Sequence, residues 1–240
     1  MQGVVIIAFG KEYDKLAAYT VGYSQRFTDL PFCIMTNIQE RHPKWGGCEN
    51  VEFKYFDMKD GQNRILKTML IDHTPFDTTM YMDCDALIQK KGIERAFNFD
   101  QDIMFNEYCS WAPGEKIPRL YSDIFKKNQI SRRVSIFSGG CFIFKKNERV
   151  FEFFNMWNRT WRDEGRGREM HCLAVSGIKS GINYGTFPGL FEPDTINEEA
   201  LVQHKFGRWH EKFAIPQITE NKSCMSIHSS AEQWNLVEFL

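Results

Sequence analysis

Short apolar runs that alternate with helix-like segments constrain the fold of this chain most strongly. The helical periods run from Glu12 to Phe27 and from Gly61 to Ile71. The apolar runs are Val4 to Ala8, Phe32 to Thr36, Val51 to Phe56 and Thr79 to Met82. A continuously apolar run is typical of a parallel strand that is covered on both faces. The alternation therefore predicts an α/β fold, with a Rossmann-like, mixed and mainly parallel sheet flanked by helices.

The second half of the chain has a less regular pattern. A helix is expected at Val150 to Arg162, and a short helical piece near Asn197 to Val202. Ser138-Gly139-Gly140 has the composition of a turn between two short strands. Further strands are expected at Ile103 to Phe105 and at Met225 to His228. No interdomain linker or internal repeat is visible.

Composition excludes several classes of protein. The net charge is −1 without a run of like charge, so nothing indicates tight binding to bare nucleic acid. Seven cysteines without a C-x-x-C pair disfavour both a cysteine zinc site and a secreted disulfide framework. No segment is long and apolar enough to cross a bilayer. We therefore expect a cytoplasmic protein with reduced thiols.

Asp83 and Asp85 directly follow the apolar run that ends at Met82. In open parallel sheets ligands bind beyond the carboxyl ends of the strands. Two carboxylates at such a position can share a divalent cation, such as Mg²⁺ or Mn²⁺, which prefers oxygen ligands. An acidic turn that merely ends a strand is the alternative, and an Asp-x-Asp triplet alone does not decide between them.

Four segments in chain order resemble the GT-A-fold glycosyltransferases, in particular the glycogenin and bacterial lipopolysaccharide galactosyltransferase group. They are VVIIAFG (Val4 to Gly10), NRILKTMLIDHTPFDTTMYMDCDALI (Asn63 to Ile88), FSGGCFIFKKN (Phe137 to Asn147) and MSIHSS (Met225 to Ser230). The resemblance implies one GT-A domain over 1–240, with a nucleotide-binding half at 1–100 and a donor-sugar and acceptor half at 101–240. It also implies transfer of a sugar from a nucleoside-diphosphate sugar, with a UDP-sugar expected, to an acceptor hydroxyl, with retention at the anomeric carbon.

The resemblance assigns the metal ligands. Asp83 and Asp85 form the D-x-D motif, and His228 takes the place of the late histidine that completes the site. Imidazole suits Mn²⁺ better than Mg²⁺, so manganese is expected, with magnesium as the alternative. The other histidines, including His204, match no family segment, and ordinary structural roles are expected for them.

The resemblance also assigns residues to the donor. Asp83, Asp85, Glu198 and Glu199 are the catalytic candidates. The two glutamates are included because the resemblance implies that their acidic segment reaches the sugar or the acceptor. The expected donor-binding residues are Ala8, Phe9, Gly10, Tyr13, Thr36, Asn37, Lys67, Ser138, Gly139 and Gly140. Within this set Tyr13 would stack on the base, Lys67 would approach the phosphates or ribose, and the Ser-Gly-Gly segment would lie beside the sugar. Ordinary turn chemistry or a solvated helical lysine is the alternative at several of these positions.

The chain departs from the family after His228. The family often continues with a glycine and then a lysine that grips the diphosphate, and neither follows His228 at the expected place. Retention is not settled by the residues, because Glu107, Glu198 or Glu199 would supply the base that an inverting enzyme needs.

Two other functions stay open on the sequence. A nucleotidyltransferase on a related fold is disfavoured, because no Gly-rich basic loop follows Phe9. A noncatalytic sugar-binding protein on a decayed fold is disfavoured by the intact D-x-D. The acceptor is unknown: a glycan, a lipid-linked sugar, a protein hydroxyl and a hydroxylated nucleic-acid base all fit.

Overall fold

Strands and helices alternate through the first half of the computed structural model, which describes residues 1–116, 119–164, 167, 169–187, 191–193 and 200–204. The strands are β1 (Gln2–Ala8), β2 (Phe32–Thr36), β3 (Val51–Tyr55), β4 (Thr78–Met82), β5 (Ala86–Ile88), β6 (Ile103–Trp111), β7 (Val134–Lys145), β8 (Tyr184–Thr186), β9 (Phe191–Pro193) and β10 (Val202–His204). The α-helices are α1 (Lys11–Ser24), α2 (Asn63–Lys67), α3 (Leu70–His73), α4 (Arg119–Lys127), α5 (Glu148–Asp163) and α6 (Leu173–Ser180). None of the helices described here is long and apolar enough to span a membrane.

The main sheet has seven strands in the order β3-β2-β1-β4-β7-β6-β8. The first four strands in this order, β3, β2, β1 and β4, are parallel to one another. β7 is antiparallel to both β4 and β6, and β8 is parallel to β6. A second sheet has the order β5-β10-β9. The predicted mixed, mainly parallel sheet is confirmed, while the division into halves at 1–100 and 101–240 stays a prediction.

Two apolar layers cover the faces of the main sheet. Alternate residues of β1 point into different layers: Val4 and Ile6 pack in the layer that includes α1, and Val5 packs in the layer that includes α5. On the α5 side Phe153 and Trp157 are fully buried. Full burial of such a side chain stabilises the fold by about 1.5–3 kcal/mol. These layers fix the strands whose ends form the site.

One prediction about local structure is wrong. Ser138-Gly139-Gly140 is not a turn but the middle of the single long strand β7. Ser138 pairs with Asn106 of β6, and Cys141 pairs with Met82 of β4. Long-range pairing therefore overrides the local turn composition. The segment of β7 before Cys141 extends past the carboxyl end of β4.

Two helical predictions also need correction. The helix expected at Gly61 to Ile71 is broken into a 3₁₀ turn at Asp60–Gln62 and the short helices α2 and α3. Thr68 follows α2, and its hydroxyl donates to the carbonyl of Ile65 at 2.9 Å, a bond that competes with helix continuation. Val202, expected at the end of a helical piece, belongs to β10, and residues 194–199 lie outside the described part.

Candidate active site

The loops that follow β1 and β2 meet at the carboxyl edge of the main sheet. The parallel register places Ala8 beside Thr36, the last residues of the two strands. The backbone N–H of Gly10 donates to the Oδ1 of Asn37 at 2.8 Å. Gly10 has φ +87°, and a Cβ there would lie 2.9 Å from a carboxylate oxygen of Asp60, so glycine is required.

Asp83 and Asp85 lie at the same edge, in a tight turn between β4 and β5. The N–H of Asp83 donates to the carbonyl of Gly140 at 2.8 Å, and the N–H of Ala86 donates back to the carbonyl of Asp83 at 2.9 Å. The buried hydroxyl of Thr20 donates to the carbonyl of Cys84 at 2.6 Å. These bonds fix the backbone of the turn that carries the two carboxylates, through the strand backbone of β7 and a side chain of α1.

His204 joins the acidic pair from the second sheet. β10 runs antiparallel to β5 and places His204 opposite Ala86. The Nε2 of His204 lies 3.1 Å from the Oδ1 of Asp85 and 3.7 Å from the Oδ2 of Asp83. The ring packs directly over Gly140, where a Cβ would lie only 2.4 Å from its Cε1. Glycine at this position of β7 is what lets the histidine reach the carboxylates.

The charges of the pair act on His204. Burial by itself lowers the pKa of His204, but the hydrogen bond and charge of Asp85, with the charge of Asp83, raise it above its ordinary value overall. The histidine and the two aspartates are therefore electrostatically coupled.

A buried lysine connects the acidic pair to a third carboxylate. The Nζ of Lys67 lies 3.0 Å from the Oδ1 of Asp83 and 3.0 Å from the Oε1 of Glu169. Burial lowers the pKa of Lys67, yet the charges of Asp83 and Glu169 outweigh burial and raise it. Arg64 adds a contact of 3.4 Å to the other oxygen of Glu169. The ammonium of Lys67 lies between two carboxylates, which is why its burial is tolerated.

The donor set of Asp83, Asp85 and His204 fits a divalent metal ion. One ligand atom from each residue lies within 4.8 Å of the others. Two carboxylate oxygens and one imidazole nitrogen suit ions such as Mn²⁺. With His204 neutral, three carboxylates face the two cations Lys67 and Arg64 in this cluster, so its net negative charge favours a dication.

Comparisons by sequence find nothing: no family model matches the chain, and no curated protein matches it. Solved structures do match. The galactosyltransferase LgtC, in complex with donor and acceptor sugar analogs, aligns with TM-score 0.58 and 11% identity over 100% of this chain and 94% of its own. Mouse xyloside xylosyltransferase 1 aligns with TM-score 0.57 and 9% identity, covering 87% of this chain and 99% of that one. The bifunctional glycosyltransferase WbbM aligns with TM-score 0.58 and 11% identity, covering 86% of this chain and 46% of its own. The chain has the GT-A fold.

The family resemblance assigned several residues to the donor, and many of them lie at the carboxyl edge. Ala8, Thr36 and the side chain of Phe9 are buried, so Phe9 offers only its backbone to a ligand. Asn37 binds Gly10 and also donates to Asp60 at 2.8 Å. The side chain of Tyr13 is half exposed at the start of α1.

Ser138, Gly139, Lys67 and Glu169 form one wall of the acidic cluster. The hydroxyl of Ser138 accepts from the N–H of Gly140 at 3.2 Å. A Cβ on Gly139 would lie 3.5 Å from both the Nζ of Lys67 and the Oε1 of Glu169. The wall is therefore built from backbone, a cation and a carboxylate.

Three of the predicted site residues, Glu198, Glu199 and His228, lie outside the described residues, so their roles stay predictions. Sequence reasoning missed His204 and Glu169. A weak signal for His204 was present: it lies two residues after the apolar pair Leu201-Val202, and Gly207 follows it. Glu169 carries no comparable signal.

Proposed function

We propose that this chain is a metal-dependent glycosyltransferase, which moves a sugar from a nucleoside-diphosphate sugar, in particular a UDP-sugar, to an acceptor hydroxyl. One observation carries the proposal: Asp83, Asp85 and His204 converge at the carboxyl edge of the main sheet in a GT-A fold. The structural neighbours named above are glycosyltransferases, and the LgtC structure holds donor and acceptor sugar analogs.

In this proposal Asp83, Asp85 and His204 hold Mn²⁺. When bound, the cation neutralises the donor diphosphate and stabilises its departure. The fixed turn between β4 and β5 means that the carboxylates are oriented before the donor arrives, so little ordering remains to be done during the reaction.

The donor sugar lies, in our proposal, against Gly139, Lys67 and Glu169. The strand backbone at Gly139 lets a ligand approach closely because it carries no side chain. The carboxylate of Glu169 accepts hydrogen bonds from sugar hydroxyls, and Lys67 donates. The exposed ring of Tyr13, on the same edge, stacks on the base.

We further propose retention at the anomeric carbon, which the family resemblance supports. The proposal leaves the acceptor as a hydroxyl on a glycan, a lipid-linked sugar, a protein or a modified nucleic-acid base. An NMR assignment of the product anomer tests retention: a product with inverted configuration would refute it.

A panel of UDP- and GDP-sugars, assayed for release of nucleoside diphosphate with Mn²⁺, tests the proposed function. We expect turnover with at least one donor and its loss in Asp85→Asn. Asp100→Asn is the matched control, because Asp100 is exposed and precedes β6 at the opposite edge of the sheet. Release of pyrophosphate instead of nucleoside diphosphate, or equal turnover in the two variants, would refute the proposal.

A further inference from the structure

The hydroxyl of Tyr81 lies against the acidic pair from inside the sheet. Tyr81 is the fourth residue of β4 and only 3% exposed, and its ring stacks on Phe142 of β7 with centroids 5.1 Å apart. The hydroxyl donates to the Oδ1 of Asp83 at 2.5 Å. A phenol is protonated at neutral pH, so the hydroxyl of Tyr81 is the donor in this bond and the carboxylate of Asp83 the acceptor.

The two oxygens of Asp83 have different surroundings. Oδ1 accepts from both the hydroxyl of Tyr81 and the ammonium of Lys67, which is 3.0 Å away. A carboxylate oxygen has two lone-pair directions, so these two donors fill Oδ1. Oδ2 instead faces the Nε2 of His204 at 3.7 Å. The Oδ1 of Asp83 is therefore held by two donors, whereas its Oδ2 faces the proposed metal site.

We propose that Tyr81 is a positioning residue of the metal centre, whose hydroxyl holds the Oδ1 of Asp83 so that Asp83 offers only Oδ2 to a divalent cation. This inference rests on the proposed metal site of the glycosyltransferase. Hydrogen-bond partners outside the coordination shell commonly orient ligating carboxylates in this way.

Lys67 alone does not fix the orientation of the Asp83 carboxylate. It divides its contacts between Asp83 and Glu169, and it lies over the ring of Tyr81 with its Nζ 4.7 Å from the centroid. The hydroxyl of Tyr81, in contrast, has Asp83 as its hydrogen-bond partner among the described residues. Removing the hydroxyl therefore perturbs Asp83 without changing any charge.

The test is Mn²⁺ binding to the donor-free protein, measured by electron paramagnetic resonance, in Tyr81→Phe. We expect Kd to weaken by about 10-fold or more, the range found for lost outer partners of metal ligands. The spectrum of bound Mn²⁺ should also change, because Asp83 can then rotate. Site-specific Tyr81→3-fluorotyrosine keeps the hydroxyl and should bind like wild type.

Tyr23→Phe is the matched control, since Tyr23 is a buried tyrosine of α1 away from the acidic pair, and it should bind Mn²⁺ like wild type. A Tyr81→Phe protein with unchanged or tighter Kd would overturn the inference and leave the proposed function intact. Non-cooperative unfolding of Tyr81→Phe would also overturn it, because the hydroxyl would then serve the fold. Wild-type protein that binds Mn²⁺ but turns over no donor would refute the proposed function while leaving the Tyr81 result decisive.

Discussion

Replacing Gly140 by alanine tests whether the glycine of β7 is what admits His204 to the acidic pair. A Cβ at position 140 would lie 2.4 Å from Cε1, 2.8 Å from Nδ1 and 3.0 Å from Nε2 of the histidine. Carbon atoms in good contact lie about 3.5–4.0 Å apart. The ring must therefore move by about 1 Å or more.

This displacement is large compared with the geometry of the site. The Nε2 of His204 is 3.1 Å from the Oδ1 of Asp85, and a further 1 Å takes it beyond hydrogen-bonding distance. A weakened outer partner already costs about 10–100-fold in metal affinity. Because His204 is itself a ligand candidate, we expect Gly140→Ala to lose Mn²⁺ affinity by at least about 100-fold.

The assay is calorimetric titration of Mn²⁺ into the donor-free protein, with Gly139→Ala as the matched control. The neighbouring glycine lies on the same strand, but its Cβ would meet nothing closer than 3.4 Å. The control should bind Mn²⁺ within about 3-fold of wild type. Equal affinities for Gly140→Ala and wild type would refute the assignment of His204 as a ligand that depends on this glycine.

Two further predictions concern charge. Lys67→Met leaves Asp83 and Glu169 without their buried counter-ion, and we expect a loss of about 3–5 kcal/mol in the free energy of unfolding. Urea unfolding measures this loss, and Lys126→Met is the control because Lys126 is exposed. A loss below about 1 kcal/mol in Lys67→Met would contradict the role of Lys67. The raised pKa of His204 means that the metal-free protein should be fully stabilised by this group below its unfolded pKa of about 6.5 and should lose that stability as pH rises through the folded pKa. Unfolding measured in chelator from pH 6 to 9 checks that the free energy of unfolding falls as pH rises. A His204→Gln protein whose free energy of unfolding has the same pH dependence would refute the prediction.

The main sheet could be predicted from sequence because its central strands are buried on both faces. Continuous apolar runs such as Val4 to Ala8 are a local consequence of that burial, and the helical period of α5 is equally local. The D-x-D motif could be placed because Asp83 follows such a run directly. The elements that depend on a pattern of residues close together in sequence could therefore be predicted.

The remainder depends on pairing between distant segments. Ser138-Gly139-Gly140 has turn composition, and it is a strand only because Ser138 pairs with β6 and the following Cys141 pairs with β4. His204 ends a three-residue strand, too short for a periodic pattern, and it reaches the site through β5. Glu169 enters through a 3₁₀ turn and its contact with Lys67, which no spacing in the sequence indicates.

Mn²⁺-dependent release of nucleoside diphosphate, compared between His204→Asn and His228→Asn, tests the central claim most directly. The account assigns the metal to Asp83, Asp85 and His204, so it predicts at least about 100-fold lower release in His204→Asn, which a higher donor concentration should not restore. It predicts release within about 3-fold of wild type in His228→Asn, the ligand that sequence alone suggested. Full activity of His204→Asn, with loss in His228→Asn, would contradict the account.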